Sequence, residues 1–120
     1  MTELGQASDC IFCKIAAKEL PAEIVHATDN VVAFRDANPK APTHILLIPV
    51  DHIESAAALA DGHGNLLAEI FQAAAHLAQT EGIDRSGWRL VTNVGPDAGQ
   101  SVAHLHFHLL GGRVMAWPPG

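Results

Sequence analysis

The sequence predicts a single α+β domain built from an antiparallel sheet, one long helix and a short N-terminal helix. Short apolar runs separated by turn residues are typical of hairpins, and only residues 65–81 have the full period of an amphipathic helix. The chain has 120 residues, 48% of them hydrophobic, which is enough for one core. We therefore expect one domain over residues 1–120, with a flexible N-terminus at residues 1–9.

The elements follow in order along the chain. Residues 11–19 are predicted as the short helix, which Pro21 stops, and EIVHAT and VVAFRD as strands that turn at Asp29-Asn30. DANPKAP is irregular because of its two prolines, and HILLIPV is predicted as a buried strand. The long helix ends at Gly82, and its predicted core face comprises Leu67, Ile70, Phe71, Ala74, Leu77 and Ala78. WRLVTNV, the loop GPDAGQS and a last strand over residues 103–110 complete the domain.

The last predicted strand has the most unusual composition. In AHLHFHLLGG, three apolar residues alternate with His104, His106 and His108. Successive side chains of a strand point to opposite faces, so Leu105 and its apolar neighbours would enter the core and the imidazoles would share the other face. Imidazole binds metals, transfers protons near neutral pH and acts as a nucleophile. The pattern therefore predicts a functional site, in preference to a solvent-facing strand.

Composition excludes several classes of partner. The net charge is -6, so no basic field would attract nucleic acid or an anionic membrane. No apolar run has membrane-spanning length, and MTELGQASD has neither the basic start nor the apolar run of a signal peptide. We expect a cytoplasmic protein.

Four further features are informative. Cys10-x-x-Cys13 is compatible with a redox pair, two inert core thiols or half of a metal site. The glycine loop can form an anion-binding nest, to which Ser101 adds a hydroxyl. The apolar tail GGRVMAWPPG suits either an interface at an exposed Trp117 or packing onto the domain's own core. We assign no function to the remaining solvated histidines: His26, His63 and His76.

The segment HLHFHLL resembles the His-φ-His-φ-His-φ-φ motif of the histidine-triad (HIT) superfamily of nucleotide hydrolases and transferases. The flanking segments IFCKI, FRDANPKAPTHILLIP, DHI, VTNVGPDAGQSVAHLHFHLLGGR and WPPG are similar to the histidine-triad nucleotide-binding (Hint) branch. This resemblance covers the chain from residue 10 onward. It implies a homodimer that hydrolyses purine nucleoside phosphoramidates, such as adenosine monophosphate linked to an amine.

The resemblance also implies a role for individual residues. His106 would be the nucleophile, and His108 and His44 would hold the phosphate oxygens. Ser101 would lie near the leaving amine, and Asp36 would bind the ribose hydroxyls. The remaining implied positions are Asn93 and Gly99 near the phosphate and Ile11, Phe12 and Phe34 around the base. Ala37 stands where relatives often carry a larger aliphatic residue, so the base pocket would be looser.

The cysteine pair departs from the animal Hint proteins and is similar to bacterial HIT proteins and galactose-1-phosphate uridylyltransferases. In those relatives two cysteines and two histidines bind zinc. The resemblance thus implies one structural zinc per chain, with Cys10, Cys13, His52 and His104 as a closed tetrahedral set.

The implied reaction agrees with the chemistry of the residues. A P–N bond breaks readily once its nitrogen is protonated, and a neutral imidazole can attack phosphorus at pH 7. Closely spaced imidazoles repel one another as cations, which keeps most of them neutral. No divalent metal is needed for this step.

Three alternatives stay open at this point. The first is a dinucleoside polyphosphate hydrolase or nucleotidyl transferase on the same triad. The second is a mainly non-enzymatic protein that binds nucleotides or a protein partner. The third is a cupin-like metal site that uses all three histidines, which would need a carboxylate ligand and would leave Cys10 and Cys13 unexplained.

Overall fold

The computed structural model describes residues 9–120. Residues 1–8, which belong to the expected flexible N-terminus, lie outside the described residues. The helices and strands in this range are α1 (Ile11–Ala16), β1 (Ile24–Ala27), β2 (Val31–Arg35), β3 (Thr43–Pro49), α2 (Gly64–Thr80), β4 (Trp88–Val91) and β5 (Phe107–Gly111). Two short 3-10 turns, Ala56–Ala58 and Asp61–His63, precede α2.

The strands form one five-stranded sheet in the order β1-β2-β3-β5-β4, and every neighbouring pair is antiparallel. The predicted α+β class and the hairpin around Asp29-Asn30 are confirmed. All seven residues of β3 are buried, as its apolar sequence predicts. In this register Leu46 of β3 and Val91 of β4 flank His108 of β5, so the last histidine lies in the middle of the sheet.

The long helix covers one face of the sheet. Its buried residues, including Ile70 and Leu77, pack in one cluster with Leu105 and other apolar side chains from the sheet. Phe71 is the exception to the predicted core face, because it is 51% exposed, although its ring makes an edge contact with Phe107 of the core. A stripe of small alanines brings α2 close to the sheet and leaves the larger Phe71 ring at the margin.

The short helix α1 ends earlier than Pro21 would require. Lys18 adopts the left-handed conformation (φ 63°), and two backbone bonds close the helix: Lys18 N–H to the Ile15 carbonyl and Glu19 N–H to the Lys14 carbonyl. This pair of bonds is a Schellman motif, which terminates a helix without proline. The predicted helix over residues 11–19 is therefore too long, because the chain turns at Ala17.

The other face of the sheet carries a second apolar cluster beneath α1. Phe12 and Ile15 of α1 pack there with Phe34 and other residues of β2 and β3. At the far end of the chain Trp117 is 81% exposed, so this ring does not fold onto the core. Within residues 9–120, no helix is both long and apolar enough to cross a membrane.

Strand β5 begins at Phe107, so the predicted strand over residues 103–110 starts too early. Leu105, Phe107 and Leu109 enter the core as the alternation predicts. The backbone around His104 leaves the sheet because Leu105 N–H donates to the carbonyl of Ile53 instead of a strand neighbour. The alternation predicted the burial of the apolar residues correctly but not the extent of the strand.

Candidate active site and metal centre

Two of the three histidines point into one site and the third points away from it. The rings of His106 and His108 have centroids 5.1 Å apart, and His44, at the start of β3, lies 5.2 Å from His108. His104 instead faces Cys10 and Cys13 on the first turn of α1. The triad therefore divides between two neighbouring sites.

The ring of His106 is held in one tautomer. It is buried, and its Nδ1 donates to the backbone carbonyl of His104 at 2.7 Å. Since a carbonyl only accepts, the proton of the neutral ring lies on Nδ1 and the lone pair lies on Nε2. The edge of Phe12 packs against the ring with centroids 5.1 Å apart, and the Thr92 hydroxyl donates to the His106 carbonyl. These contacts fix the position of a ring nitrogen that carries a free lone pair.

His44 and His108 form a directed hydrogen-bond chain. The backbone N–H of Lys40 donates to His44 Nδ1 at 3.0 Å, so His44 carries its proton on Nε2. That Nε2–H donates to His108 Nδ1 at 2.9 Å, which places the His108 proton on its own Nε2. The chain ends in an N–H that has the chemistry to bind a phosphate oxygen.

Burial keeps these two rings neutral. It lowers the pKa of His44, and the nearby Asp36 carboxylate opposes this only in part. Burial, together with the charges of His106 and His44, lowers the pKa of His108 to about 4. Both rings are therefore neutral at pH 7, in agreement with the hydrogen-bond chain.

A cleft of about 650 Å³ opens beside His106 and His108, and we call it the apolar cleft. The implied base-binding residues line it, namely Ile11, Phe12 and Phe34. Asp36 and Ser101 supply its polar groups, and Ala37 forms part of its wall. The cleft thus joins an apolar wall, a carboxylate and two imidazoles, as a nucleotide would require.

A second cleft of about 500 Å³ lies on the other side of His108 and shares only Asp36 and His108 with the first. We call it the cationic cleft because Lys40, Arg89 and Arg113 line it. Asn93, implied to lie near the phosphate, is here together with His44. The sequence alone assigns these cations no role, although Lys40 and Arg113 lie in the segments that resemble the Hint branch.

The glycine loop does not bring Gly99 into either cleft. Gly99 N–H donates to the carbonyl of Pro96, and Gln100 N–H donates to the carbonyl of Gly95. Gly95 N–H donates in turn to the Gln100 side chain. Three of the amides that could have formed an anion nest are therefore used to close the loop, and Ser101 is the residue of this segment that lines the apolar cleft.

The four residues implied as zinc ligands converge. Their ligand atoms all lie within 4.8 Å of one another. Sγ of Cys10 lies 3.2 Å from His104 Nδ1, and Sγ of Cys13 lies 3.2 Å from His52 Nδ1 and 3.4 Å from His104 Nδ1. Tetrahedral zinc with Zn–S near 2.3 Å and Zn–N near 2.0 Å would separate sulfur and nitrogen by about 3.5 Å. The spacing fits such an ion.

The hydrogen bond of His104 and the pKa of Cys13 also favour a bound metal ion. His104 Nε2 donates to the Pro49 carbonyl at 2.9 Å, so its Nδ1 lone pair faces the sulfurs. Burial, together with the neighbouring Cys10, raises the pKa of the Cys13 thiol to about 11. The thiol is thus protonated at pH 7 without a cation, and a metal would displace that proton. This group can hold a soft divalent metal.

The three remaining histidines lie outside these groups. His76 is exposed on α2, and His26 is half-buried on β1. His63 differs from the expectation of a merely solvated ring, because its Nδ1 accepts the Ala60 N–H and caps a 3-10 turn. Its role is structural.

Comparison with known proteins places this geometry in a family. The family described as "Scavenger mRNA decapping enzyme C-term binding" matches residues 9–116. A solved HIT family hydrolase from Legionella pneumophila superposes with a TM-score of 0.91 at 52% identity, covering 92% of this chain and 99% of that one.

Two curated relatives are similar over nearly the whole chain. A 14 kDa zinc-binding protein of Zea mays is 47% identical over 94% of this chain and 89% of its own length. The adenylylsulfatase HINT1 of Arabidopsis thaliana is 44% identical over 94% of this chain and 78% of its own length. The chain belongs to the histidine-triad (HIT) superfamily, in its Hint branch, and is a hydrolase.

Proposed function

We propose that this hydrolase is a purine nucleoside phosphoramidase that works through a covalent nucleotidyl-histidine at His106. The observation that carries the proposal is the 2.7 Å bond from His106 Nδ1 to the His104 carbonyl, which leaves Nε2 free to attack. The same carbonyl stabilises the positive charge that the ring acquires when Nε2 bonds to phosphorus.

The reaction proceeds in two balanced steps. In the first, His106 Nε2 bonds to phosphorus, the P–N bond breaks with its electron pair on nitrogen, and the nitrogen takes up a proton from the Ser101 hydroxyl, which regains one from solvent. In the second, water attacks phosphorus, the P–His106 bond breaks, and the proton of the water passes to solvent. The Nε2–H of His108 donates to a phosphate oxygen in both steps, positioned by His44.

The apolar cleft supports a purine nucleotide as the substrate. The rings of Phe12 and Phe34 meet edge to face with centroids 5.5 Å apart and offer an apolar wall to a base. The Asp36 carboxylate lies at the border of the cleft, 3.4 Å from His44 Nε2, where it can accept hydrogen bonds from ribose hydroxyls. We infer that purines are bound, with a preference relaxed by the small Ala37.

We also propose that the Cys10–Cys13–His52–His104 group holds one structural zinc ion per chain. The relative from Zea mays is named a zinc-binding protein, and the sulfur–nitrogen distances here suit zinc. With four protein ligands no position is left for water, so the ion would supply rigidity and not chemistry.

Assembly and location follow as further proposals. Trp117 and Val114 are 81% and 93% exposed, and β4 is an edge strand, so we propose a two-fold homodimer. A monomer mass by light scattering at micromolar concentration would contradict it. Two free thiols suit the reducing cytoplasm, where we place the protein; imaging of a tagged chain tests this.

The direct test replaces His106 by alanine. We expect turnover of an adenosine phosphoramidate to fall by about a thousandfold or more, because the covalent catalyst is removed. Nucleotide affinity should stay within about tenfold, since most of the cleft remains. Quenched wild-type reactions should yield an acid-labile, base-stable adduct on His106 by peptide mapping. An adduct on His104, His108 or Ser101 would overturn the mechanism.

A second candidate is hydrolysis of a mixed anhydride by the same attack. The Arabidopsis relative is named an adenylylsulfatase, which favours a substrate with sulfate as the leaving group. A dinucleoside polyphosphate or a nucleotide sugar would also present a phosphorus atom to His106. A parallel assay of these substrates with an adenosine phosphoramidate separates them, and the highest kcat/KM identifies the class.

A further inference from the structure

The side chain of Gln100 joins the glycine loop to a separate part of the chain. Gln100 is half-buried, and its Oε1 accepts the Gly95 N–H at 3.0 Å. Its Nε2 donates to the carbonyl of Glu54 at 2.8 Å and to that of Val102 at 3.0 Å. Both N–H donors of the amide are thereby engaged. Gln100 therefore connects backbone segments and has no donor left for a ligand.

The glycine loop needs this connection because its backbone is closed only on itself. Its own backbone bonds, Gly99 N–H to the Pro96 carbonyl and Gln100 N–H to the Gly95 carbonyl, stay within residues 95–100. Gly95 and Gly99 have positive φ values of 84° and 86°, which glycine adopts with little penalty. Such glycines leave a loop free to take other conformations, so a contact outside the loop is required to fix its position.

The connection reaches the same segment that holds the proposed nucleophile. The Glu54 carbonyl binds Gln100, and the preceding carbonyl, that of Ile53, accepts the N–H of Leu105. Leu105 directly precedes the nucleophile, and Gln100 directly precedes the hydroxyl that is placed at the leaving amine. Two consecutive carbonyls therefore fix both reacting segments relative to each other.

The backbone of Ser101 is held from both sides. Gln100 precedes it, and Val102 follows it, accepts from the Gln100 amide and packs against the second apolar cluster. Ser101 itself is exposed and lines the apolar cleft together with His106. The position of the Ser101 backbone is thus fixed, while its hydroxyl stays accessible to a substrate.

We propose that Gln100 is a positioning residue for the proton transfer from Ser101. By tying the loop to residues 53–54, it sets the distance between the Ser101 hydroxyl and the nitrogen on the phosphorus that His106 attacks. The inference rests on the proposed phosphoramidase and adds a residue that determines which leaving groups are released. The bond changes stay the same, because the proton comes from Ser101 and no bond to Gln100 forms or breaks. A displaced general acid slows a leaving group to the extent that this group needs a proton.

The test uses two substrates that differ in this need. Adenosine monophosphate joined through nitrogen to an alkylamine requires protonation of the leaving nitrogen, whereas its 4-nitrophenyl ester releases a stable anion without a proton. Gln100→Glu keeps the size of the side chain and removes both N–H donors. We expect kcat/KM to fall by about thirtyfold for the phosphoramidate, because a misplaced general acid loses much of its contribution, and by less than about threefold for the ester.

Two comparisons locate the effect at Ser101. In a Ser101→Ala background, Gln100→Glu should change kcat/KM for the phosphoramidate by less than about twofold, since the group that it positions is already absent. Gln72→Glu makes the same change at an exposed position of α2, and both substrates should react as with the wild type. If Gln100→Glu does not fold, Gln100→Asn, which keeps the amide but shortens its reach, should show the same selective loss.

The outcomes distinguish this inference from the proposed function. A wild type that hydrolyses both substrates, combined with a Gln100→Glu variant that loses both activities equally, overturns the role of Gln100 alone. The same holds if the losses from Gln100→Glu and Ser101→Ala simply multiply. A wild type that hydrolyses the ester but not the phosphoramidate overturns the phosphoramidase, and the role of Gln100 falls with it.

Discussion

Two groups of side chains have the composition of a metal site, and they differ in where their protons lie. Cys10, Cys13, His52 and His104 form the first group, and the second consists of Asp36, His44 and His108. In both groups the ligand atoms lie within 4.8 Å of one another. Composition and spacing alone would therefore assign a metal to both.

Backbone groups determine where the protons lie on the histidine rings of the two groups. A carbonyl accepts from His104 Nε2, so the Nδ1 lone pair faces the cysteine sulfurs. In the second group a backbone N–H donates to His44 Nδ1 and leaves a proton on Nε2, where a metal would have to bind. The first group presents lone pairs, which suit a cation, whereas the second presents an N–H, which suits an anion. The ring tautomers therefore favour the proposed metal at the first group and the proposed phosphate at the second, where residue type does not distinguish them.

The largest expected effect is on metal content. Cys10→Ser with Cys13→Ser should reduce the zinc content from about one ion per chain to none, and should lower Tm by about 10 °C because metal binding is coupled to folding. His44→Gln with His108→Gln, which alters the second group, should keep the ion. Elemental analysis and calorimetry measure both quantities. Two outcomes would contradict the distinction between the two groups. In one, the wild type purified without chelators contains no zinc, and in the other, the His44/His108 variant loses its zinc.

A smaller effect is expected on catalysis. His108→Gln should lower kcat for an adenosine phosphoramidate by about a hundredfold, because a donor to the developing phosphate charge is weakened and misplaced. Its zinc content should equal that of the wild type. His76→Gln, on the exposed face of α2, is the matched control for the substitution itself. An unchanged kcat in His108→Gln would show that the second group takes no part in the reaction.

Asp36→Asn tests the second group at its carboxylate. The amide keeps an acceptor for the Asn38 N–H, which bonds to Asp36 Oδ1 at 2.8 Å, but loses the charge that attracts ribose hydroxyls. Ribonucleotide affinity should fall by about tenfold, and affinity for a 2′,3′-dideoxy analogue should change much less. Equal losses for the two ligands in titration calorimetry would indicate that Asp36 only shapes the loop.

The smallest effect concerns pH. Burial lowers the pKa of His108 to about 4, whereas the unfolded chain titrates near 6.5. Between these values the unfolded state binds a proton that the folded state excludes, so stability declines as pH falls through this window and is unaffected above it. The drop in Tm from pH 7 to pH 5 should be smaller by a few degrees in His108→Gln than in the wild type. An identical drop in both proteins would show that the ring is protonated in the fold.

Apolar periodicity predicts most of the fold, because burial on a strand or helix repeats with a fixed period. The positions of the strands along the chain, the long helix and the burial of Leu105 and Phe107 all follow from it, whereas the order of the strands within the sheet does not. The early end of α1 does not, since it depends on a left-handed lysine that has no residue signature. The start of β5 also depends on a distant carbonyl, that of Ile53.

The residues of the candidate site were also predictable only in part. Histidines at alternate positions, the cysteine pair and Asp36 can be selected by residue type and resemblance, and the structure places them in two adjoining groups. Arg89 could not be selected in this way, because an arginine on a strand is usually a solvated charge. The tautomers were equally inaccessible, since the amide of Lys40 and the carbonyl of Pro49 that fix them are backbone groups.

The position of Phe12 has a consequence for synthesis of the chain. Helix α1 has six residues, too few to be stable alone, and its N-cap Cys10 contacts His104, which lies 94 residues further along the sequence. During translation Phe12 can pack on Phe34 once β2 has emerged, but the contact between Cys10 and His104 forms only after nearly the whole chain has left the ribosome. A nascent chain that stops short of His104 can form the β1–β2–β3 hairpins but not a nucleotide site, so premature termination leaves no partly active fragment.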